Sequence, residues 1–198
     1  MRLAACVLTL GICFLANAQD EPAVKFGTTV VINSGFRGLV YHIRHDSQRL
    51  PDFHKLKPAG AIYTSVLNIP TQNFRAGFPG VTKRFEWFAI DYSARFWIEK
   101  PGLYRFALVS DDGSRLYIDD REIIDNDGIH PAERRGGSVD LSGGIHQIRV
   151  SYFQGPRFEV ALILQVAGPR DRFRIFSTDE FKPPSNADSW TVPPPVKK

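Results

Sequence analysis

The sequence predicts an all-β protein, an antiparallel sandwich or barrel in a single domain. Three observations carry that prediction. Apolar and polar residues alternate with period two along several stretches, the signature of half-buried strands. Clusters of Gly, Pro, Asp and Ser separate these stretches at short intervals. No segment keeps a helical period.

Taken in order, the first element is a charge, an apolar run and a small-residue site. Arg2 precedes the apolar stretch Leu3 to Leu15, and Ala16-Asn17-Ala18 follows it. This order predicts a signal peptide over residues 1–18, cut after Ala18. At roughly 13 residues the run is short of the ~20 that a spanning helix needs, so no membrane span is expected. Cys6 and Cys13 both lie in this segment. The mature chain then has no thiol, and no disulfide or thiolate metal site is available to it. Without Arg2 the charge is 24 basic against 21 acidic residues, a net +3 with the two signs interspersed. That pattern excludes a basic nucleic-acid-binding stripe. An exported protein of periplasm, cell surface or medium is expected.

Residues 19–35 read as an N-terminal extension, 36–181 as the β domain and 182–198 as a Pro-rich tail that cannot pack, carrying Pro183-Pro184 and Pro193-Pro194-Pro195. Within the domain, Tyr104, Phe106 and Leu108 alternate with polar residues. So do His146, Ile148, Val150 and Tyr152. The strand Phe158 to Val166 is expected at the centre, with Val160, Leu162 and Leu164 in the core. Between Gln48 and Gly80 the alternation fades and Pro and Gly rise, which predicts long surface loops.

The chemistry gathers at "SDDGS", Ser110 to Ser114. Asp112-Gly113 between two apolar runs reads as a hairpin turn in which glycine supplies a positive φ. Asp111 adds a second carboxylate to the same turn. Two adjacent carboxylates repel unless one is protonated or a cation lies between them, and a hard oxygen site at a loop tip suits calcium. A solvated acidic turn is the other reading. A second acidic cluster, "IDNDGIH" from Ile124 to His130, fails as an EF-hand: with Gly128 in the glycine position, the first and last ligands would be Ile123 and Arg134. It reads as a turn with a local side-chain cap, and His130 as structural. Asp119-Asp120 reads as a plain hairpin. Trp87 and Trp97 are expected in the core, whereas Tyr92, beside Asp91, is a candidate ligand contact.

The runs "PGLYRFALVSDDGSRLYIDDREIIDNDGIH", "GGSVDLSGGIHQIRVSYFQGP" and "EVALILQV" together resemble the PA-14 domain family, named for the amino-terminal fragment of anthrax protective antigen and found in secreted glycosidases and adhesins. With "FEWFAIDYSARFWIEKPG" and "GLVYHI" upstream, the resemblance covers about Phe36 to Phe181. It implies a β-sandwich often used to bind carbohydrate. In lectin-like members, two consecutive aspartates joined by a cis peptide bind calcium, which in turn holds sugar hydroxyls. The matching positions are Asp111 and Asp112. An asparagine ligand from a later loop matches Gln154, one methylene longer. In the same loop Arg157 and Phe158 are the expected ligand-reading side chains. Other members serve in assembly without a known sugar, so a glycan or extracellular polysaccharide and another secreted protein both stand as partners. Catalysis is not expected: there is no G-x-S-x-G, no H-E-x-x-H, and the paired aspartates sit in one turn, not across a sugar ring.

Overall fold

A computed structural model describes residues 25–156 and 159–183. Eleven strands run in chain order: β1 Phe36–His42, β2 Gly60–Thr64, β3 Asn68–Asn73, β4 Phe88–Ile98, β5 Gly102–Asp111, β6 Ser114–Ile118, β7 Arg121–Asn126, β8 Glu133–Leu141, β9 Gly144–Gln154, β10 Glu159–Ala167 and β11 Arg174–Ile175. A single 3-10 turn, Phe53–Lys55, is the one helical piece among the described residues. No helix there is long and apolar enough to cross a membrane.

The strands form two antiparallel sheets. One has the order β2-β1-β4-β9-β6-β7; the other has β11-β10-β5-β8, with β3 beside β10. Their inner faces make the core, because alternate residues of each strand point to one side. Phe36 and Val40 of β1 meet Ile90 and Phe96 of β4 there. Leu116 of β6 and Ile148 and Val150 of β9 join them. Phe106 and Leu108 of β5 and Val160, Leu162, Leu164 and Val166 of β10 close the opposite side. β10 is central as expected, pairing β5 along one edge while β3 and β11 share the other. Phe26 is also buried in the core, and Thr28 bridges to Tyr63, so part of the segment before β1 packs with the domain.

The stretch between Gln48 and Gly80 departs from the expectation of loops alone. It supplies β2 and β3. Both are short, and Pro70 inside β3 masks the alternation while its missing N–H confines that strand to an edge.

The two longest partners, β4 and β9, pair over eleven residues each, Phe88 opposite Gln154 through Ile98 opposite Gly144. This ladder sets Asp91 opposite Ser151 and Tyr92 opposite Val150. Its two faces carry opposite chemistry: Tyr92 turns into the core, and Asp91 turns outward.

Candidate functional site

The acidic turn links β5 to β6, strands that belong to different sheets. It is therefore a crossing between the layers, and the hairpin reading is corrected. Glycine is required for a different reason as well. Gly113 does not have positive φ; a Cβ there would stand 2.4 Å from Phe153 Cε1, 2.7 Å from Gly128 N and 2.9 Å from Gly128 O. Close packing, not turn conformation, excludes a side chain. By contrast, the Asp119-Asp120 hairpin between β6 and β7 has positive φ at both residues, 49° and 62°.

The base of the crossing is clamped by buried hydroxyls. Ser110 Oγ and Ser114 Oγ lie 2.6 Å apart, and the Asn126 amide donates to Ser110 Oγ at 2.9 Å. Above this clamp the Asp111–Asp112 peptide is cis, as the resemblance implied. Asp112 is only 4% exposed, and both its oxygens are held: Oδ1 accepts from the His130 N–H at 3.2 Å, Oδ2 from the Gly155 N–H at 2.8 Å. Three chain segments thus converge on one carboxylate.

Burial pushes the Asp112 carboxyl up against the lowering effect of those two N–H donors. Asp111 is pushed up to about 6, by burial first and then by the charge of Asp112. Both carboxylates pay for standing together in a partly dry place, and nothing in the described residues pairs either with Lys or Arg. His130 is the nearby cation. Its Nδ1 lies 2.9 Å from the Pro131 carbonyl and its Nε2 3.0 Å from that of Asn126. Two acceptors suit the imidazolium, which donates from both nitrogens. Burial opposes that charge, but the carbonyls, Glu133 and Asp112 outweigh it and raise the pKa. His130 is thus structural, as the sequence suggests, and not a ligand.

A family model of the PA14 domain matches residues 59–172. The chain belongs to the PA14 domain family. Among solved structures, the PA14 domain of the MpAFP antifreeze protein is similar with a TM-score of 0.61 at 14% identity, over 82% of this chain and 94% of that one. A PA14 sugar-binding domain from an RTX adhesin is similar with a TM-score of 0.60 at 15% identity, over 74% and 96%. An anti-sigma factor domain-containing protein reaches 0.60 at 19% identity, covering 81% of this chain, which spans 50% of its length. At these identities the likeness is one of fold. Comparison with curated proteins gives no match.

Two of the site residues expected of this PA14 domain are displaced. Tyr92 is 0% exposed and donates its hydroxyl to the Phe26 carbonyl at 2.7 Å, so it cannot touch a ligand. Its ring lies over Gly38 on β1, where a Cβ would come within 2.5 Å. Gln154 is 1% exposed, with its Oε1 2.7 Å from the Tyr152 hydroxyl and its Nε2 donating to the Pro156 and Glu159 carbonyls, each at 3.1 Å. The Tyr152 hydroxyl also lies 2.6 Å from the Asp111 carbonyl oxygen. Gln154 therefore braces the loop that follows β9 and is not an open calcium ligand. Arg157 and Phe158 lie outside the described residues, as do the expected signal peptide at 1–18 and the tail from 184.

Of the two tryptophans expected in the core, Trp87 is buried with Ile43, Ala89 and Phe153 in a small second cluster, whereas Trp97 is only half-buried, because it alternates with Phe96 and Ile98 and falls on the outward face of β4 with Asp91. Trp87 also borders an open cleft of about 400 Å³ with His45, Gln48, Ile129 and Pro156. This cleft adjoins the acidic turn, because Gly155 binds Asp112 on one side and accepts from the Trp87 N–H at 3.2 Å on the other. Ile129 is 40% exposed at its rim. No sequence signal marks this wall, since His45 and Ile129 come from loops far apart in the chain and Ile129 is an apolar residue within the acidic Ile124–His130 cluster.

Calcium takes six to eight oxygens. Among the described residues no group of three His, Cys, Asp or Glu side chains is placed to hold a metal. The two carboxylates still fit a hard cation: each oxygen of Asp112 has used one of its two acceptor positions, and Asp111 is half-exposed. Most of the coordination shell would have to come from outside these two side chains.

Proposed function

We propose that this PA14 domain is an exported, non-catalytic carbohydrate-binding module whose ligand site is the Asp111–Asp112 crossing. The observation that carries the reading is the pair itself: two neighbouring carboxylates, one anchored by two backbone N–H groups, the other pushed up to about 6 by burial and by its neighbour. A cation relieves both effects. Calcium is the ion that such a donor set suits, with Asp111 and Asp112 as its side-chain ligands. It supplies coordination positions for sugar hydroxyls. The adjoining cleft gives the ligand an apolar wall in Trp87, Ile129 and Pro156. Arg157 and Phe158 stand next along the chain as further contacts. A similarly folded PA14 domain is named as sugar-binding, which supports the ligand class.

The placement of the two acids supports a non-catalytic role. Glycoside hydrolysis needs two carboxyls facing each other across a ring, roughly 5–9 Å apart, with distinct pKa values. Asp111 and Asp112 are consecutive residues of one turn, suited to hold an ion together.

Export rests on the order of charge, apolar run and Ala16-Asn17-Ala18 at the start of the sequence. Mass spectrometry of the secreted protein is expected to find Gln19 at the amino terminus. A glycan array probed with that protein, once with calcium and once with chelator, tests the function. Hits that vanish with chelator are expected. A blank array in both conditions, beside clean co-purification of one protein, would replace the reading with a protein-interaction role.

A further inference from the structure

A second cleft, of about 370 Å³, opens on the outer face of the six-stranded sheet. Its floor comes from neighbouring strands in register: Asp91 of β4 opposite Ser151 of β9, and Arg149 of β9 opposite Tyr117 of β6. Its roof is the segment Leu50 to His54, which precedes the part of the chain matched by the family model. This roof is tied down. The Leu50 N–H donates to Asp127 Oδ1 at 2.8 Å, Asp127 Oδ2 lies 3.3 Å from Arg115 Nη2, and the Phe53 ring packs against Tyr41 with centroids 5.0 Å apart.

The floor is polar and unevenly satisfied. Asp91 is mostly buried, and burial pushes its carboxyl up despite Ser151 and Arg149. Both neighbours address one oxygen: Ser151 donates to Oδ1 at 2.7 Å, and Arg149 Nη1 stands 3.8 Å from the same atom. Among the described residues no group donates to Oδ2. Arg149 in turn lies over the Tyr117 ring, 3.8 Å from its centroid. A charged acceptor therefore sits beside a charged donor, the pairing that a hydroxyl, at once donor and acceptor, answers best.

Charge narrows the ligand further. Asp91 and Arg149 balance each other, Arg115 is held by Glu122, Asp125 and Asp127, and Asp52 by Lys55 at 3.0 Å; of the other lining residues, Asp120 adds a carboxylate, which repels anions, and His54 an imidazole beside Asp91. No uncompensated guanidinium remains to draw an anion. Opposite the polar floor, Leu50, Pro51 and the half-buried Phe53 offer an apolar roof. A ring with hydroxyls on its edge and C–H groups on its face matches both surfaces. The volume falls in the range of roughly 300–1,000 Å³ usual for small-molecule sites.

We propose that this cleft is a second saccharide site, which takes a neutral sugar through a hydroxyl bound to Asp91 Oδ2 and Arg149, under the roof of Phe53. The saccharide class rests on the carbohydrate reading above, but the site does not share its residues. Ser151 lies four positions before Gly155, the residue just past the end of β9, about 13 Å at ~3.3 Å per extended residue, so one oligosaccharide can reach from this cleft to the acidic crossing.

The test is an amide-shift titration of the isotope-labelled exported protein, in calcium, with four neutral disaccharides in turn: Galβ1-3GlcNAc, lactose, cellobiose and maltose. The account expects at least one of them to move the amides of Asp91, Arg149, Ser151 and Phe53 as one saturable set. In Asp91→Asn, which keeps the Ser151 contact and the fold, that set should need about tenfold more sugar or more. Asp111→Asn should leave it unmoved. If only amides around Asp112, His130 and Gly155 respond, this cleft is not a sugar site and the carbohydrate reading survives. If the Asp91 set alone responds, the cleft stands and the acidic crossing loses its role. Silence at both overturns the proposal, as does an Asp91→Asn protein that binds like the wild type.

Discussion

Replacing Gly113 with alanine separates a packing requirement from a conformational one. The added Cβ would stand 2.4 Å from Phe153 Cε1 and within 3 Å of two backbone atoms of Gly128. Phe153 is fully buried, and the Gly128 backbone belongs to the loop that delivers the His130 N–H to Asp112, so neither neighbour can move freely. Contacts this short, against atoms that cannot give way, place the cost in the upper half of the usual overpacking range, about 2–3 kcal/mol. Alanine also narrows the unfolded ensemble, which offsets roughly 0.4–1 kcal/mol of that. For a domain of this size each kcal/mol shifts Tm by about 2–4 °C, so a fall of roughly 2–10 °C is expected in a thermal melt. Gly113→Asn discriminates between the two accounts. Asparagine tolerates positive φ and would rescue a turn that needed it, whereas the larger side chain should make a packing clash worse than alanine does. An asparagine variant as stable as the wild type, or an alanine variant within about 1 °C of it, would refute the packing argument.

Tyr152→Phe removes the hydroxyl shared by the Asp111 carbonyl and Gln154 Oε1; urea unfolding should show a loss of about 1–3 kcal/mol, as for buried acceptors left unpaired. Leu162→Ala, at a fully buried position of β10, should cost about 2–5 kcal/mol in the same assay. The Asp111 carboxyl has a folded pKa raised from 3.8 to about 6, so between those values the folded state holds more protons than the unfolded one. Its contribution to stability is most favourable below about pH 4 and declines as pH rises toward 6. In the absence of calcium, Asp111→Asn should flatten that decline, and a pH series of melts that matches the wild type would count against the assignment.

The legible part of this protein was local. Alternation marked β5, β9 and β10, and the doubled aspartate marked the turn at Ser110 to Ser114. What stayed hidden depends on which strand meets which. Asp112-Gly113 looks like a hairpin until β5 and β6 fall in different sheets. Tyr92 beside Asp91 looks like an exposed turn, yet both lie in the middle of the eleven-residue strand β4, where Gly38 of the neighbouring strand leaves room for the ring. Gln154 matches a ligand position by order along the chain, but its amide is spent on Tyr152 and two carbonyls. The cleft over Asp91 could not be read from any one segment, because floor and roof come from residues up to 101 positions apart, Leu50 and Ser151.

The Asp111–Asp112 crossing is proposed to hold a cation through which a glycan is bound. Calorimetric titration of the protein with calcium, beside Asp111→Asn and Asp120→Asn, reads that cation site without any sugar. A saturable calcium isotherm is expected in the wild type, retained in Asp120→Asn, whose carboxylate belongs to a plain hairpin, and lost or strongly weakened in Asp111→Asn with the fold intact. No heat of calcium binding to the wild type at millimolar concentration, or equal binding by Asp111→Asn, would contradict it.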